Sequence, residues 1–258
     1  MFTHWAGYAI PRSRKISRRS ICRDTSIHLT ASRPAEIVLV ARLWQLKVNG
    51  RREHGNVRRN SWKLINTRSI KGSDELSQRP FIVTIAAVSG GGKTTITNIL
   101  SGRLSMSEAI YFDDFDFDGP DDICEWVEQG AEYNEWNLTP IINKVQDLIK
   151  DKNKKYIIID YPFSYLNKGM RDYIDFSIFI DTPLDIALAR RLIRDFNQSS
   201  IESIHNELEH YQNKGRKAYL EMLNSVKPNS DVVIDGTLPA DVIVHYIINE
   251  INNRILED

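Results

Sequence analysis

The stretch Phe81-Ile82-Val83-Thr84-Ile85-Ala86-Ala87-Val88-Ser89-Gly90-Gly91-Gly92-Lys93-Thr94-Thr95 decides how the chain is read. A β-branched apolar run leads into three glycines, a lysine and two threonines, and then into a helical pattern. That order is strand, phosphate loop, helix. Glycines let successive backbone N–H groups turn onto a phosphate without Cβ clashes. Ser89, Gly90, Gly91, Gly92, Lys93, Thr94 and Thr95 are therefore the expected phosphate-binding residues. Lys93 reaches the outer phosphates, the Thr94 hydroxyl is placed for Mg²⁺, and the helix N-terminus adds its positive dipole. Against GxxxxGK[ST], one position differs: Ala87 stands where the first glycine is expected.

From residue 81 onward the chain alternates strand and helix patterns, which predicts a parallel sheet covered on both faces. Strands are expected at 81–88, 109–112, 155–159, 176–180 and 231–234. Helices are expected at 93–103, 121–129, 139–150, 184–196, 200–223 and 239–251. Ligands of such sheets sit at the carboxyl ends of the strands. Those ends carry Asp113, Asp114, Asp160, Asp181 and Asp235. Asp160 closes Tyr156-Ile157-Ile158-Ile159-Asp160, an apolar strand ending in an acid, and is a candidate Mg²⁺ ligand beside Thr94. Asp113 is the candidate base that takes a proton from an attacking hydroxyl. Asp181, before Thr182-Pro183, reads as a turn or cap residue.

Arg190, Arg191 and Arg194 follow in one helix, with 190 and 194 on one face and 191 turned aside. Guanidinium groups there would stabilise charge on a transferred phosphoryl group, or pair with surface acids such as Asp195. Between strands two and three, Trp126, Tyr133, Asn134 and Trp136, with Asp114, form a candidate substrate wall for a flat polar heterocycle. Ordinary helix packing explains Trp126 and Trp136 equally well. The string Asn143-Lys144-Val145-Gln146-Asp147 is one residue too long for the NKxD guanine motif, which argues against a GTPase switch.

Over its 258 residues the chain has zero formal charge, but the charge is unevenly divided. Residues 1–79 hold 17 Lys and Arg against 5 Asp and Glu, and residues 80–258 hold 17 against 29. The asymmetry places a boundary near Arg79-Pro80, with a basic extension at 1–79 and a catalytic domain at 80–258. The extension reads as an organellar transit peptide, as an arm on nucleic acid, or as a segment without fold or function. A short element at 35–48 is the most it would form. Two cysteines, Cys22 and Cys124, give neither a disulfide framework nor a metal spacing and fit a reducing, cytoplasmic setting. Six scattered histidines form no metal motif, and no apolar run approaches the length of a membrane span.

Ser89-Gly90-Gly91-Gly92-Lys93-Thr94-Thr95, the acid in Phe112-Asp113-Asp114-Phe115, and Ile180-Asp181-Thr182-Pro183-Leu184-Asp185 leading into Ala189-Arg190-Arg191-Leu192-Ile193-Arg194-Asp195 resemble the uridine kinase/phosphoribulokinase family. The resemblance covers most of 81–250. It implies a P-loop NTPase fold, three αβα layers around a five-stranded parallel sheet, and an ATP- and Mg²⁺-dependent kinase acting on a hydroxyl of a small metabolite. It also implies that Asp113 activates that hydroxyl and that Arg190, Arg191 and Arg194 belong to a lid over ATP. Uridine or a related nucleoside is the acceptor it favours; a nucleoside monophosphate, a sugar phosphate, or a nucleotide-binding regulator with little catalysis are the alternatives. Family members usually carry Glu-Gly where this chain has Asp160-Tyr161, and further lid arginines where it has Phe196-Asn197-Gln198-Ser199-Ser200. The phosphate machinery transfers better than the acceptor site.

Overall fold

The structure, a computed structural model, describes residues 79–257. The basic extension expected at 1–79, Cys22 and the element expected at 35–48 lie outside the described residues, Arg79 excepted.

Five strands follow from the apolar runs: β1 (Phe81–Ala86), β2 (Ser107–Tyr111), β3 (Tyr156–Asp160), β4 (Phe176–Asp181) and β5 (Val232–Asp235). They form one parallel sheet in the order β2-β3-β1-β4-β5. In β1 and β3 almost every residue is buried, as a strand covered on both faces requires. Side chains alternate between two cores. Val83, Ile85, Ile158, Ile178 and Ile234 face α1 (Lys93–Arg103) and α8 (Ala240–Glu257). Ile82, Ala86, Ile157, Ile159 and Phe179 face the other core. That second layer holds α2 (Ile123–Glu128), α3 (Thr139–Ile149), α4 (Lys168–Arg171), α5 (Leu184–Asp195) and α7 (Arg216–Glu221), and α6 (Ile201–His210) meets α5 through Glu207.

Most expected elements form within two residues of the expected bounds. β1 stops at Ala86 because Ala87 and Val88, both buried, already belong to the turn into the loop. The helix expected at 200–223 is instead α6 and α7 with π-helical turns at Tyr211–Gly215 and Met222–Val226. Such wide turns shift the helix register. Here Tyr211 and Tyr219 both reach the core and meet edge to face, ring centroids 5.2 Å apart. Arg79 forks onto Asp175 at 2.6 and 2.9 Å, and Asp175 also accepts from the Ile82 N–H, which fixes where β1 begins. No helix among the described residues is long and apolar enough to cross a membrane.

The register places Tyr111 of β2 and Ile85 of β1 on either side of Asp160 of β3. Residues just past β1, β2 and β3 therefore converge at one edge. Ile158 stands at the centre of this arrangement and is fully buried. Ile158→Ala should cost about 2–5 kcal/mol of stability, read as a lowered urea midpoint with an unchanged slope.

Candidate active site

The loop between β1 and α1 is shaped by contacts that exclude side chains. Its turn closes with the Gly91 N–H donating to Val88 O at 2.8 Å. Gly90 has φ +78°, and a Cβ there would lie 2.0 Å from the Ala187 carbonyl oxygen of α5. At Gly91 a Cβ would lie 2.8 Å from both Ala87 Cβ and Val88 O. Ala87 itself is absent from the residues with positive φ, so the alanine in place of the first motif glycine meets no backbone strain. Gly92, at φ +102°, caps α1 and accepts from the Ile96 N–H.

Lys93 and Thr94 open α1, and Thr94 Oγ1 donates to Asp160 Oδ2 at 2.6 Å. Asp160 is 1% exposed, and its other oxygen, Oδ1, is buried without a hydrogen-bond partner among the described residues. A buried carboxylate oxygen left over beside a hydroxyl is the donor pair a hard divalent cation takes up. Thr94 and Asp160 thus fit the metal-holding role.

The loop opens onto a cavity of about 800 Å³ that Ser89–Thr95, Asp113, Arg190 and Arg194 line together. Asp113 lies in a short 3₁₀ turn, Phe112–Asp114, that directly follows β2. Burial is the largest influence on its carboxyl and raises its pKa to about 7. Lys93 and Arg194 pull the other way, and Asp160 adds to the rise. On α5 the two outward arginines serve the same cavity: Arg190 Nη1 donates to Gly236 O at 3.4 Å, and Arg194 forks onto Asp195 at 2.6 and 2.9 Å.

Other expected site residues go elsewhere. Arg191 is 6% exposed and pairs with Glu207 of α6, since it points between the helices rather than into the cavity. It holds α6 on α5 and does not line the nucleotide-binding cavity expected for it. Asp114 is exposed and does not line the cavity either. Trp126 and Tyr133 are buried in the second core, ring centroids 5.1 Å apart, with Trp136 edge-on to Trp126 at 6.2 Å. Trp126 Nε1 donates to Glu132 O and the Tyr133 hydroxyl to Glu221. Asn134 donates to Glu132 and accepts from the Lys168 N–H, fastening the start of α4. Packing takes up this aromatic set; none of it lines the cavity.

Of the remaining strand-end acids, Asp181 accepts from Lys227 Nζ at 2.6 Å, and Asp235 accepts from the N–H and hydroxyl of Thr237. The sequence reading passed over Gly236, Leu238, Ala240 and Ile243, which line the cavity on the side away from Asp113's strand. The turn Asp235-Gly236-Thr237 after the last strand was the available signal. The cavity combines the phosphate loop and the cationic Lys93, Arg190 and Arg194 with the apolar Ile180, Leu238, Ala240 and Ile243, a lining whose chemistry suits a nucleotide.

Residues 132–242 match the model of the Phosphoribulokinase / Uridine kinase family. That stretch runs from the 3₁₀ turn Tyr133–Glu135 past β5 and leaves the phosphate loop outside it. The chain is 36% identical over 88 residues to a uridine kinase of Proteus mirabilis, covering 34% of this chain and 41% of that one. It is 33% identical over 91 residues to a uridine kinase of Escherichia fergusonii, covering 35% and 42%. Each match thus spans about two fifths of the relative's length. Among solved structures, thymidylate kinase from Candida albicans is 18% identical with TM-score 0.41, covering 68% of this chain and 93% of that one. A sugar kinase from Janibacter sp. HTCC2649 is 17% identical with TM-score 0.42, covering 67% and 95%. The fold rests on the strand order and the loop, independently of these two likenesses. Over residues 132–242 the chain is similar to the Phosphoribulokinase / Uridine kinase family, and its phosphate loop and parallel sheet form a P-loop fold.

Proposed function

We propose that the protein is an ATP- and Mg²⁺-dependent kinase that transfers the γ-phosphoryl group to a hydroxyl of a small metabolite, uridine or a related nucleoside. The observation that carries the reading is a phosphate loop and a half-buried aspartate, Asp113, facing one cavity with Arg190 and Arg194. The uridine kinases among the relatives support a nucleoside as acceptor. So does the charge around Asp113: from Leu104 to Asn143 there are 11 acidic residues and no Lys or Arg. Lys93, Arg190 and Arg194 line the cavity with the loop, so nothing in that stretch offers a cationic clamp for an acceptor that already carries phosphate.

In the reaction the acceptor oxygen attacks the γ-phosphorus, the bond from that phosphorus to the β,γ-bridging oxygen breaks, and ADP leaves with the electron pair. Asp113 takes the hydroxyl proton. Loop N–H groups and Lys93 hold the phosphates, while Arg190 and Arg194 meet charge on the transferred group. Thr94 and Asp160 would hold Mg²⁺, which would supply charge neutralisation.

Incubating the full chain with Mg-ATP and a panel of nucleosides, nucleoside monophosphates and sugar phosphates, and following ADP release, tests the reading. Release with uridine or cytidine supports it; release only with a phosphorylated acceptor replaces the substrate and keeps the chemistry; ATP binding without release with any acceptor overturns the kinase reading. Asp113→Asn should lower kcat by about a hundredfold or more while ATP still binds. Because the base acts ionised, kcat should rise with pH through about 7 in the wild type and lose that limb in Asp113→Asn. The raised pKa also means that the folded state binds more protons than the unfolded chain between an ordinary carboxylate pKa and about 7. Stability from this group therefore falls as pH rises through that window, and a Tm series should show the fall shallower in Asp113→Asn. Asp160→Asn should raise the Mg²⁺ concentration for half-maximal turnover by about tenfold or more.

A further inference from the structure

We infer that Thr182 is a positioning residue for the phosphate loop, and that Gly236 is required beneath it. Thr182 follows β4 directly and is 2% exposed. Its hydroxyl donates to the Gly91 carbonyl at 2.9 Å, across 91 residues of sequence, in a buried contact. Peptide units are planar and trans, so the C=O of Gly91 and the N–H of Gly92 point in opposite directions. Fixing that carbonyl on Thr182 therefore fixes the Gly92 N–H facing away from β4, the orientation in which it donates to a phosphate oxygen. Gly91 needs the outside anchor: its own N–H is already spent on Val88 O, and with no side chain its carbonyl plane rotates freely otherwise.

Gly236 closes the arrangement from the other side. Its N–H donates to Asp181 O at 2.9 Å, which presses the turn after β5 onto the end of β4. A Cβ at Gly236 would lie 1.9 Å from Thr182 Oγ1 and 2.9 Å from Thr182 Cβ. Any side chain there displaces the hydroxyl from Gly91. Gly236 and Gly91 also line the cavity, so one chain of contacts runs from the turn after β5 through Thr182 to the loop. A buried hydroxyl removed from a carbonyl leaves that carbonyl unsatisfied, and the loop recovers a partner only by rotating the peptide.

The inference rests on the nucleotide reading of this cavity, and binding measurements separate the two. The test is the Kd of ATP, ADP and AMP for the full chain and for Thr182→Val, Thr182→Ser and Gly236→Ala, with Tm for each. ATP and ADP, whose outer phosphates reach the loop, should bind Thr182→Val about five- to tenfold more weakly, with AMP within about twofold of wild type. Thr182→Ser, which keeps the hydroxyl, should restore ATP binding, and Gly236→Ala should reproduce the loss. If Thr182→Val does not fold, the Gly236→Ala and Thr182→Ser pair gives the same comparison. Unchanged ATP affinity in Thr182→Val or Gly236→Ala overturns the inference. Equal weakening of ATP and AMP also overturns it, because a general loosening of the sheet edge would do that. Failure of the wild type to bind ATP overturns the nucleotide reading and the inference together.

Discussion

A loop that binds phosphate with its backbone must present N–H groups without side chains in the way, and it must not collapse when empty. In this protein the second demand is met by neighbours. Ala187 O of α5 lies where a Gly90 Cβ would stand, Ala87 and Val88 crowd Gly91, and Thr182 holds the Gly91 carbonyl. The first turn of α5, the end of β4 and the loop are therefore one packed unit, and the cavity's shape depends on it. Since α5 also carries Arg190 and Arg194, the contact at Gly90 sets how far those guanidinium groups stand from the loop.

Electrostatics divide the site into two unlike carboxylates. Asp160 is almost wholly buried yet has a hydroxyl donor in Thr94, with one oxygen left over. Asp113 is dominated by desolvation and holds a proton far more tightly than a surface aspartate. These different environments are what the proposed roles rest on, cation holder for one and proton acceptor for the other. Lys93 bears on Asp113 and tempers the rise without cancelling it.

Helical spacing placed Arg190 and Arg194 on one face and Arg191 aside, and the structure keeps that geometry. What spacing could not show is that the face turned aside is covered. Glu207, 16 residues later, meets Arg191 there because the chain turns between α5 and α6 at 196–200 and lays α6 against α5. The aromatic stretch 126–136 went the same way: composition made it a candidate substrate wall, and packing against Phe112, Tyr161 and Phe163 made it core.

The sequence by itself determined the local units: the phosphate loop, α1, the five apolar strands and the acids at their ends. These follow from glycine freedom, β-branched runs and helical periodicity within about fifteen residues. Tertiary structure decided which of those acids meet. Asp113 and Asp160, 47 residues apart, come together only because β2 pairs with β3, while Asp181 and Asp235 are taken by Lys227 and a turn. It also decided the roles of Thr182 and Gly236, whose close approach arises from pairing β4 with β5. Contacts between residues distant in sequence are set by strand order and packing, and a chain read residue by residue does not contain that order explicitly.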